Sequence, residues 1–156
     1  MSSEYFAIVR VYGIFINDSN EILLSDEFLF DRAMVKFPGG GLRYGEGIKE
    51  CLYRELLEET GQQFEILDHI YTSDFFISSA FHADKQVISV YYFVKPQSEI
   101  DFRVSNTKFD FQIKENGAQS FRFVRFSDLK EEEMTYPADK FIVGMLKEKL
   151  QLGAIL

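Results

Sequence analysis

The chain has 156 residues and carries 17 Lys and Arg against 25 Asp and Glu, which leaves a formal net charge of −8. Hydrophobic residues make up 46% of it, which is ample for a buried core and argues against a disordered chain. The acidic balance argues against binding to nucleic acid duplexes, because phosphate backbones select basic surfaces. We therefore expect one folded domain over residues 1–156.

The sequence also favours a reducing, cytoplasmic setting without a membrane partner. Cys51 is the single cysteine and cannot form an internal disulfide. No apolar run approaches the roughly 20 residues of a membrane span, and residues 1–5 lack the layout of a secretory signal. The aromatic content of 16% leaves room for a homodimer interface as well as for an ordinary core.

Strand-forming residues dominate the first 40 positions. Aromatic and β-branched residues predict a strand and a turn over residues 5–20. A second strand is expected over residues 21–25 and a third over residues 33–37. The run Pro38-Gly39-Gly40-Gly41 predicts an abrupt break after the third strand.

The rest of the chain mixes two helices with further strands. Residues 47–60 favour a helix, and Gly61 stands where a helix C-terminal glycine belongs. Strands are expected over residues 64–77, 86–95 and 121–126. A closing helix follows Pro137, with an apolar stripe that contains Phe141, Ile142, Met145, Leu146 and Leu150. Strands mixed with two helices predict a single α/β sandwich.

Three glutamates of the first helix share its apolar side. On a helix with about 3.6 residues per turn, Glu55, Glu58 and Glu59 fall within an arc of about 100°. The same side carries Ile48, Cys51, Leu52 and Leu56. A solvated acidic surface would place its acids on the opposite side, so this arrangement disfavours the alternative of an acidic interaction protein.

Such a cluster needs positive charge. Three like charges repel one another, and they lie near the negative end of the helix dipole. Carboxylate oxygens at this density suit Mg²⁺ or Mn²⁺. Zinc would call for His and Cys ligands, and the chain offers only His69, His82 and Cys51.

The segment that holds these acids resembles the signature of Nudix hydrolases. The matching positions are Gly40, Glu46, Arg54, Glu55, Leu56, Glu58, Glu59, Gly61 and Gln62. Gln62 departs from the pattern, because an aliphatic residue is usual there. We expect this polarity to affect local packing rather than metal binding, with Phe64 supplying the apolar contact.

The resemblance implies a Nudix-type α/β/α sandwich with a mixed sheet between helices, and hydrolysis of a diphosphate linkage in a nucleotide derivative. It implies that Glu55, Glu58 and Glu59 hold Mg²⁺ or Mn²⁺, together with the backbone carbonyl of Gly40. Glu46 and Arg54 would form a supporting ion pair. A non-catalytic nucleotide-sensing module on the same fold is the alternative, although such modules often lose acids of the signature that are all present here.

The residue that activates water is left open, because relatives recruit it from different places. Glu58 or Glu59 is one source. Glu115 is the other, since it occupies a turn, Lys114-Glu115-Asn116-Gly117, between late strands.

Basic and glycine residues are candidates for binding substrate phosphates. Glycines 39–41 allow a close backbone approach to phosphate oxygens. Arg10 and Arg32 are candidate phosphate ligands. Arg43 stands where many relatives carry an acid, and it would be either a substrate contact or a surface ion pair.

The sequence leaves the nucleotide undefined. Candidates for stacking on a base are Phe28, Phe75, Phe76, Phe81 and His82. Some relatives carry a subclass-marking Pro or Tyr where this chain has Ser78, Ser79 and Ala80. A sugar nucleotide such as ADP-ribose and a nucleoside triphosphate both stay open as substrates.

Overall fold

Seven strands and two α-helices form within residues 5–151, the part of the chain that the computed structural model describes. In chain order they are β1 (Ala7–Ile14), β2 (Glu21–Leu29), β3 (Arg32–Lys36), β4 (Gly39–Gly41), α1 (Ile48–Thr60), β5 (Phe64–Thr72), β6 (Gln86–Pro96), β7 (Ala118–Arg125) and α2 (Pro137–Gln151). They belong to two units: residues 5–14 with 39–100, and residues 15–38 with 101–151.

The first unit is a four-stranded mixed sheet with α1 packed on it. The strand order is β4-β1-β6-β5, with β1 parallel to β6 and the other two pairs antiparallel. A Cβ on Gly13 of β1 would lie 2.9 Å from the Cγ2 of Val94, so the missing side chain makes room for this buried valine of β6. Cys51, Leu52 and Leu56 are fully buried, as the predicted apolar stripe requires.

The second unit holds a three-stranded antiparallel sheet in the order β3-β2-β7, together with α2. On α2 the buried side chains include Ile142, Val143 and Leu146, whereas Phe141 is exposed. The buried stripe of α2 is therefore rotated slightly from the one that the sequence predicts.

The predicted α/β class with mixed strands and two helices is confirmed. The glycine run differs from the prediction, because Gly39–Gly41 does not simply break the chain but forms β4, paired with β1. Gly39 has φ +146°, and a Cβ there would overlap the carbonyl oxygen of Val11. A conformation that only glycine adopts easily thus brings the run into the sheet.

Several strand ends also differ from the prediction. β2 continues to Leu29 rather than ending at residue 25, and β7 begins at Ala118 rather than at residue 121. β5 stops at Thr72 rather than at residue 77, and residues 77–79 fold back on residues 85–87 through backbone hydrogen bonds. β7 stops at Arg125, because Phe126–Asp128 forms a 3₁₀ turn.

Among residues 5–151, neither helix combines the length and the apolar character needed to cross a bilayer.

Candidate active site

Two glycines of β4 bring this strand against the acids of α1. A Cβ on Gly40 would overlap the carboxylate of Glu55, so this carboxylate occupies the space that a side chain would fill. Gly39 donates its backbone N–H to the Oε2 of Glu59 at 3.2 Å. The sequence order of glycine run, loop and helix therefore places two of the three predicted glutamates beside β4.

Arg54 is the centre of the charged cluster. It donates to both carboxylate oxygens of Glu46, from Nε at 2.9 Å and from Nη2 at 2.6 Å. Its Nη1 donates to Glu55 Oε1 at 2.9 Å and to Glu58 Oε2 at 3.3 Å. Nη2 also donates to the carbonyl oxygen of Gly41 at 3.0 Å. One guanidinium thus connects three carboxylates with β4.

The predicted ion pair of Glu46 and Arg54 is present, and it shifts the pKa of both side chains. The hydrogen bonds from Arg54 lower the pKa of Glu46 to about 2. Conversely, the hydrogen bond to Glu46 raises the pKa of Arg54 above its ordinary value. The backbone N–H of Arg43 also donates to Glu46 Oε1 at 2.7 Å, which ties the loop before α1 to the same carboxylate.

Glu58 is more exposed than the helix geometry alone predicts. Its side chain is 49% exposed, and its Oε1 lies 3.6 Å from Nη1 of Arg43. Glu55 and Glu58 both face Arg54 while Glu59 faces Gly39. Within residues 5–151, no three His, Cys, Asp or Glu side chains converge on one point in the manner of a metal site. The positive charge that the sequence demands between the acids is supplied here by arginines.

The composition of this cluster nevertheless suits a divalent cation. Glu46, Glu55 and Glu58 contribute three carboxylates against the two guanidinium groups of Arg43 and Arg54, which leaves one surplus negative charge, and Glu59 lies beside them against β4. All the donor atoms are hard oxygens, the kind that Mg²⁺ and Mn²⁺ prefer.

Cys51 adds no soft ligand to this set. The residue is fully buried, and burial raises the pKa of its thiol to about 12. A thiolate, the form that binds metals, is therefore scarce at neutral pH.

Arg10 reaches the same unit from β1. It pairs in register with Gly41, and its Nη1 would lie 3.8 Å from a Cβ on that glycine. Its Nε donates to the hydroxyl of Tyr12 at 2.7 Å. Tyr12 is not among the residues that the sequence motifs single out. Residues two apart on a strand share one face, however, and this is the signal that could have paired it with Arg10.

Arg32 and Glu115 belong to the second unit. Arg32 is exposed at the start of β3. Glu115 is exposed in the turn before β7, where its carbonyl oxygen accepts the N–H of Ala118 at 2.9 Å. Their contributions to the site stay predictions.

The aromatic candidates divide between the units. Phe28, in the second unit, has its ring 6.2 Å from that of Phe111. In the first unit, Phe75, Phe76, Phe81 and His82 are all exposed between β5 and β6. Phe75, Phe76 and Phe81 are therefore surface residues and not part of the core.

Gln62 is accommodated by hydrogen bonds at the exit of α1. The side chain is buried, and its amide nitrogen donates to the carbonyl oxygen of Glu99 at 2.8 Å and to the hydroxyl of Ser98 at 3.2 Å. Phe64 is also buried, in agreement with the predicted apolar contact. The unusual polarity is thus satisfied within the first unit.

Comparison with known proteins agrees with this geometry. The NUDIX domain profile matches residues 7–143. The chain therefore belongs to the Nudix family, and it is an enzyme of the pyrophosphohydrolase type. Members of this family generally use divalent metals and act on nucleotide-derived substrates.

Solved structures of similar fold span nearly the whole chain. The E. coli ORF135 protein has 17% sequence identity and a TM-score of 0.69, with 92% of this chain and 91% of that chain covered. A MutT protein from Methanosarcina mazei Go1 has 21% identity and a TM-score of 0.64, covering 95% and 98%. An ADP-ribose pyrophosphatase from Streptococcus suis 89-1591 has 16% identity and a TM-score of 0.58, covering 94% and 91%. These likenesses support the fold.

Proposed function

We propose that this enzyme uses Mg²⁺ or Mn²⁺ to hydrolyse the diphosphate linkage of a nucleoside diphosphate derivative. The substrate is a sugar nucleotide such as ADP-ribose, or a nucleoside triphosphate. One structural neighbour supports the first class, since it is an ADP-ribose pyrophosphatase.

One observation carries the proposal, namely the charge of the cluster around Arg54. Three carboxylates, those of Glu46, Glu55 and Glu58, meet the two guanidinium groups of Arg43 and Arg54, so the cluster carries one surplus negative charge. A substrate with two phosphoryl groups would be repelled by such a surface. A divalent cation outweighs this surplus and reverses the sign of the interaction.

Glu55, Glu58 and Glu59 would hold the cation, with the carbonyl oxygen of Gly40 as a further ligand. When bound, the cation neutralises phosphate charge and lowers the pKa of a bound water. Glu46 would not serve as a ligand, because Arg54 occupies both of its oxygens. Its role is to hold Arg54, and through it the acids of α1, in place.

In the reaction, a water oxygen forms a bond to phosphorus while the bond from that phosphorus to the bridging oxygen breaks. A carboxylate takes the proton of the attacking water. Glu58, Glu59 and Glu115 are the candidates for this base, and only the first two lie on α1. A carboxylate within reach of the water and ionised at neutral pH is sufficient for this role.

Positive and backbone groups would bind the phosphates. Arg10, Arg32 and Arg43 supply guanidinium groups, which suit phosphate oxygens. Glycines 39–41 leave the backbone of β4 open to close approach. Tyr12 would act as a positioning residue, because its hydroxyl holds the Nε of Arg10.

Turnover of a nucleotide panel tests the proposal. ADP-ribose, other sugar nucleotides and nucleoside triphosphates would be assayed with Mg²⁺, with Mn²⁺ and with EDTA, and products identified by mass spectrometry. We expect metal-dependent cleavage that falls by about 10²- to 10³-fold in Glu58→Gln. Glu50→Gln, an exposed acid on the same helix, is the matched control and should retain activity. Background turnover throughout would contradict the proposal and favour a nucleotide-sensing module.

We also propose a cytoplasmic setting and a homodimer. The cytoplasmic setting rests on the single, buried thiol, and the homodimer rests on the exposed aromatic residues. Fractionation of cells that express the tagged chain and light scattering of the purified protein test these two points. Recovery in the secreted fraction, or a monomeric mass, would contradict them.

A further inference from the structure

Glu58 is held from two sides by positive groups. Its Oε2 lies 3.3 Å from Nη1 of Arg54, and its Oε1 lies 3.6 Å from Nη1 of Arg43. Both carboxylate oxygens therefore face a guanidinium. A divalent cation that binds Glu58 therefore meets two guanidinium groups that repel it, and it competes with them for the carboxylate.

Arg43 is the partner that can leave. The side chain of Arg54 is 19% exposed, and its guanidinium donates further hydrogen bonds to Glu46, Glu55 and the carbonyl of Gly41. The side chain of Arg43 is 65% exposed, and among residues 5–151 its ion-pair partner is Glu58. Exposed ion pairs of this kind are weak. Displacing Arg43 therefore costs much less than displacing Arg54.

The backbone of Arg43 stays fixed when its side chain moves. Its N–H donates to Oε1 of Glu46 at 2.7 Å, and its carbonyl oxygen accepts the N–H of Glu46 at 3.3 Å. The long side chain therefore swings from an anchored point beside the acids of α1. A guanidinium released there remains close to the phosphates of a metal-bound substrate.

We propose that Arg43 is exchanged between two anions: it pairs with Glu58 in the metal-free enzyme and with a substrate phosphate once a cation has taken Glu58. The exchange couples the two binding events, so cation and substrate each strengthen the binding of the other. This inference rests on the proposed function, because it takes Glu58 as a metal ligand and a diphosphate as substrate.

The coupling has a defined size and must be reciprocal. Loss of the exposed pair with Glu58 should strengthen Mn²⁺ binding about 1.5- to 5-fold when no substrate is present. A charge-assisted bond to phosphate is stronger than that pair, so its loss should weaken phosphate binding about tenfold or more in the metal-bound enzyme.

The test measures binding rather than turnover. Methylenediphosphonate keeps two phosphoryl groups and resists hydrolysis, so it reports on the phosphate site whatever the nucleotide. Calorimetry would give its affinity for the wild type and Arg43→Gln at buffered free Mn²⁺ and without metal, while electron paramagnetic resonance would give Mn²⁺ affinity. We expect Arg43→Gln to bind Mn²⁺ more tightly and to lose diphosphonate affinity mainly when Mn²⁺ is present.

Arg125→Gln is the matched control, because it removes the same charge at an exposed position of β7. A second variant removes the other partner of the ion pair between Arg43 and Glu58. Glu58→Gln should strengthen diphosphonate binding without metal, and this gain should shrink when Arg43→Gln is added.

Three results would overturn the inference: equal loss of diphosphonate affinity with and without Mn²⁺, no loss in either state, or unchanged Mn²⁺ affinity in Arg43→Gln. If the wild type bound no Mn²⁺ at all, the proposed function would fail as well. Suppose instead that the enzyme hydrolyses its substrate in a metal-dependent way, and that in Arg43→Gln the affinities for Mn²⁺ and diphosphonate depend on each other as in the wild type. Only the proposed exchange of Arg43 would then be overturned, and the proposed function would stand.

Discussion

Two arginines organise the two units in opposite ways. In the second unit, Arg122 meets one carboxylate, Asp26, through bonds of 2.7 and 3.0 Å, and Asp26 also accepts the N–H of Phe109 at 3.0 Å. That pair is buried and balanced. In the first unit, Arg54 faces three carboxylates and is more exposed than Arg122.

The contrast shows that charge balance distinguishes the two sites better than burial does. A buried pair with equal charges and satisfied hydrogen bonds is complete, so its chemistry is structural. A partly exposed cluster with surplus negative charge instead favours a bound cation. Variants at the two sites should separate a stabilising role for the Asp26 pair from a catalytic role for the Arg54 cluster.

The largest effect is expected at the balanced pair. Asp26→Ala should lower the free energy of unfolding by about 3–5 kcal/mol, because it leaves the guanidinium of Arg122 buried without its partner. Urea titration measures this change. The folded fraction should keep its activity at saturating substrate. A loss below about 1 kcal/mol would remove the contrast between the two arginines.

Alanine substitutions at two neighbouring glycines of β4 should affect different properties: the one at Gly39 lowers stability, and the one at Gly40 lowers activity. Gly39→Ala forces a side chain into φ +146° and against the Val11 carbonyl, and the strained backbone alone costs about 1–3 kcal/mol. Gly40→Ala instead meets the movable carboxylate of Glu55. A displaced carboxylate should lower kcat by about 10²-fold with little change in stability. Thermal melting and steady-state kinetics on both variants would show whether the two effects separate or coincide.

Lowering the pH should reveal how much the ion pair of Glu46 with Arg54 stabilises the fold. Because the pKa of Glu46 is lowered to about 2 in the folded state, the unfolded state binds more protons between about pH 4.5 and pH 2. The stabilising contribution of Glu46 is therefore complete above about pH 4.5 and is lost as the pH falls towards 2. The stability difference between the wild type and Glu46→Gln should shrink over this window. A difference that stays constant from pH 6 to pH 2.5 would contradict the assignment.

The smallest effect concerns Cys51, which touches the cluster without joining it. Its burial and its pKa of about 12 predict very slow alkylation of the folded protein at pH 8. Mass spectrometry after iodoacetamide treatment should find the thiol unmodified until urea unfolds the chain. Rapid alkylation of the folded protein would show that α1 opens.

Much of this architecture follows from sequence, because it depends on local patterns. The glycine cap of α1 and its buried stripe follow from periodicity and from backbone preferences that need no tertiary information. The pairing of Glu46 with Arg54 also follows, since the resemblance to the Nudix signature implies it.

Other features needed contacts between distant parts of the chain. That β4 is a strand depends on β1 lying beside it, and a glycine run alone indicates only a break. The Asp26–Arg122 pair joins residues 96 positions apart, which no local pattern reveals. The exposure of Glu58 depends on what covers the last turn of α1, so helical angles alone placed it too far inward.

The amide of Gln62 has a consequence for how such chains are found and altered. Its donors are matched to Ser98 and Glu99, so the final position of the signature is tied to a segment 36 residues away. A search that insists on an aliphatic residue there would pass over this chain. Replacing Gln62 alone by an aliphatic residue would leave the Ser98 hydroxyl and the Glu99 carbonyl oxygen without their donor. A chimaera with a relative therefore has to exchange the end of the signature and the segment around residues 98–99 together.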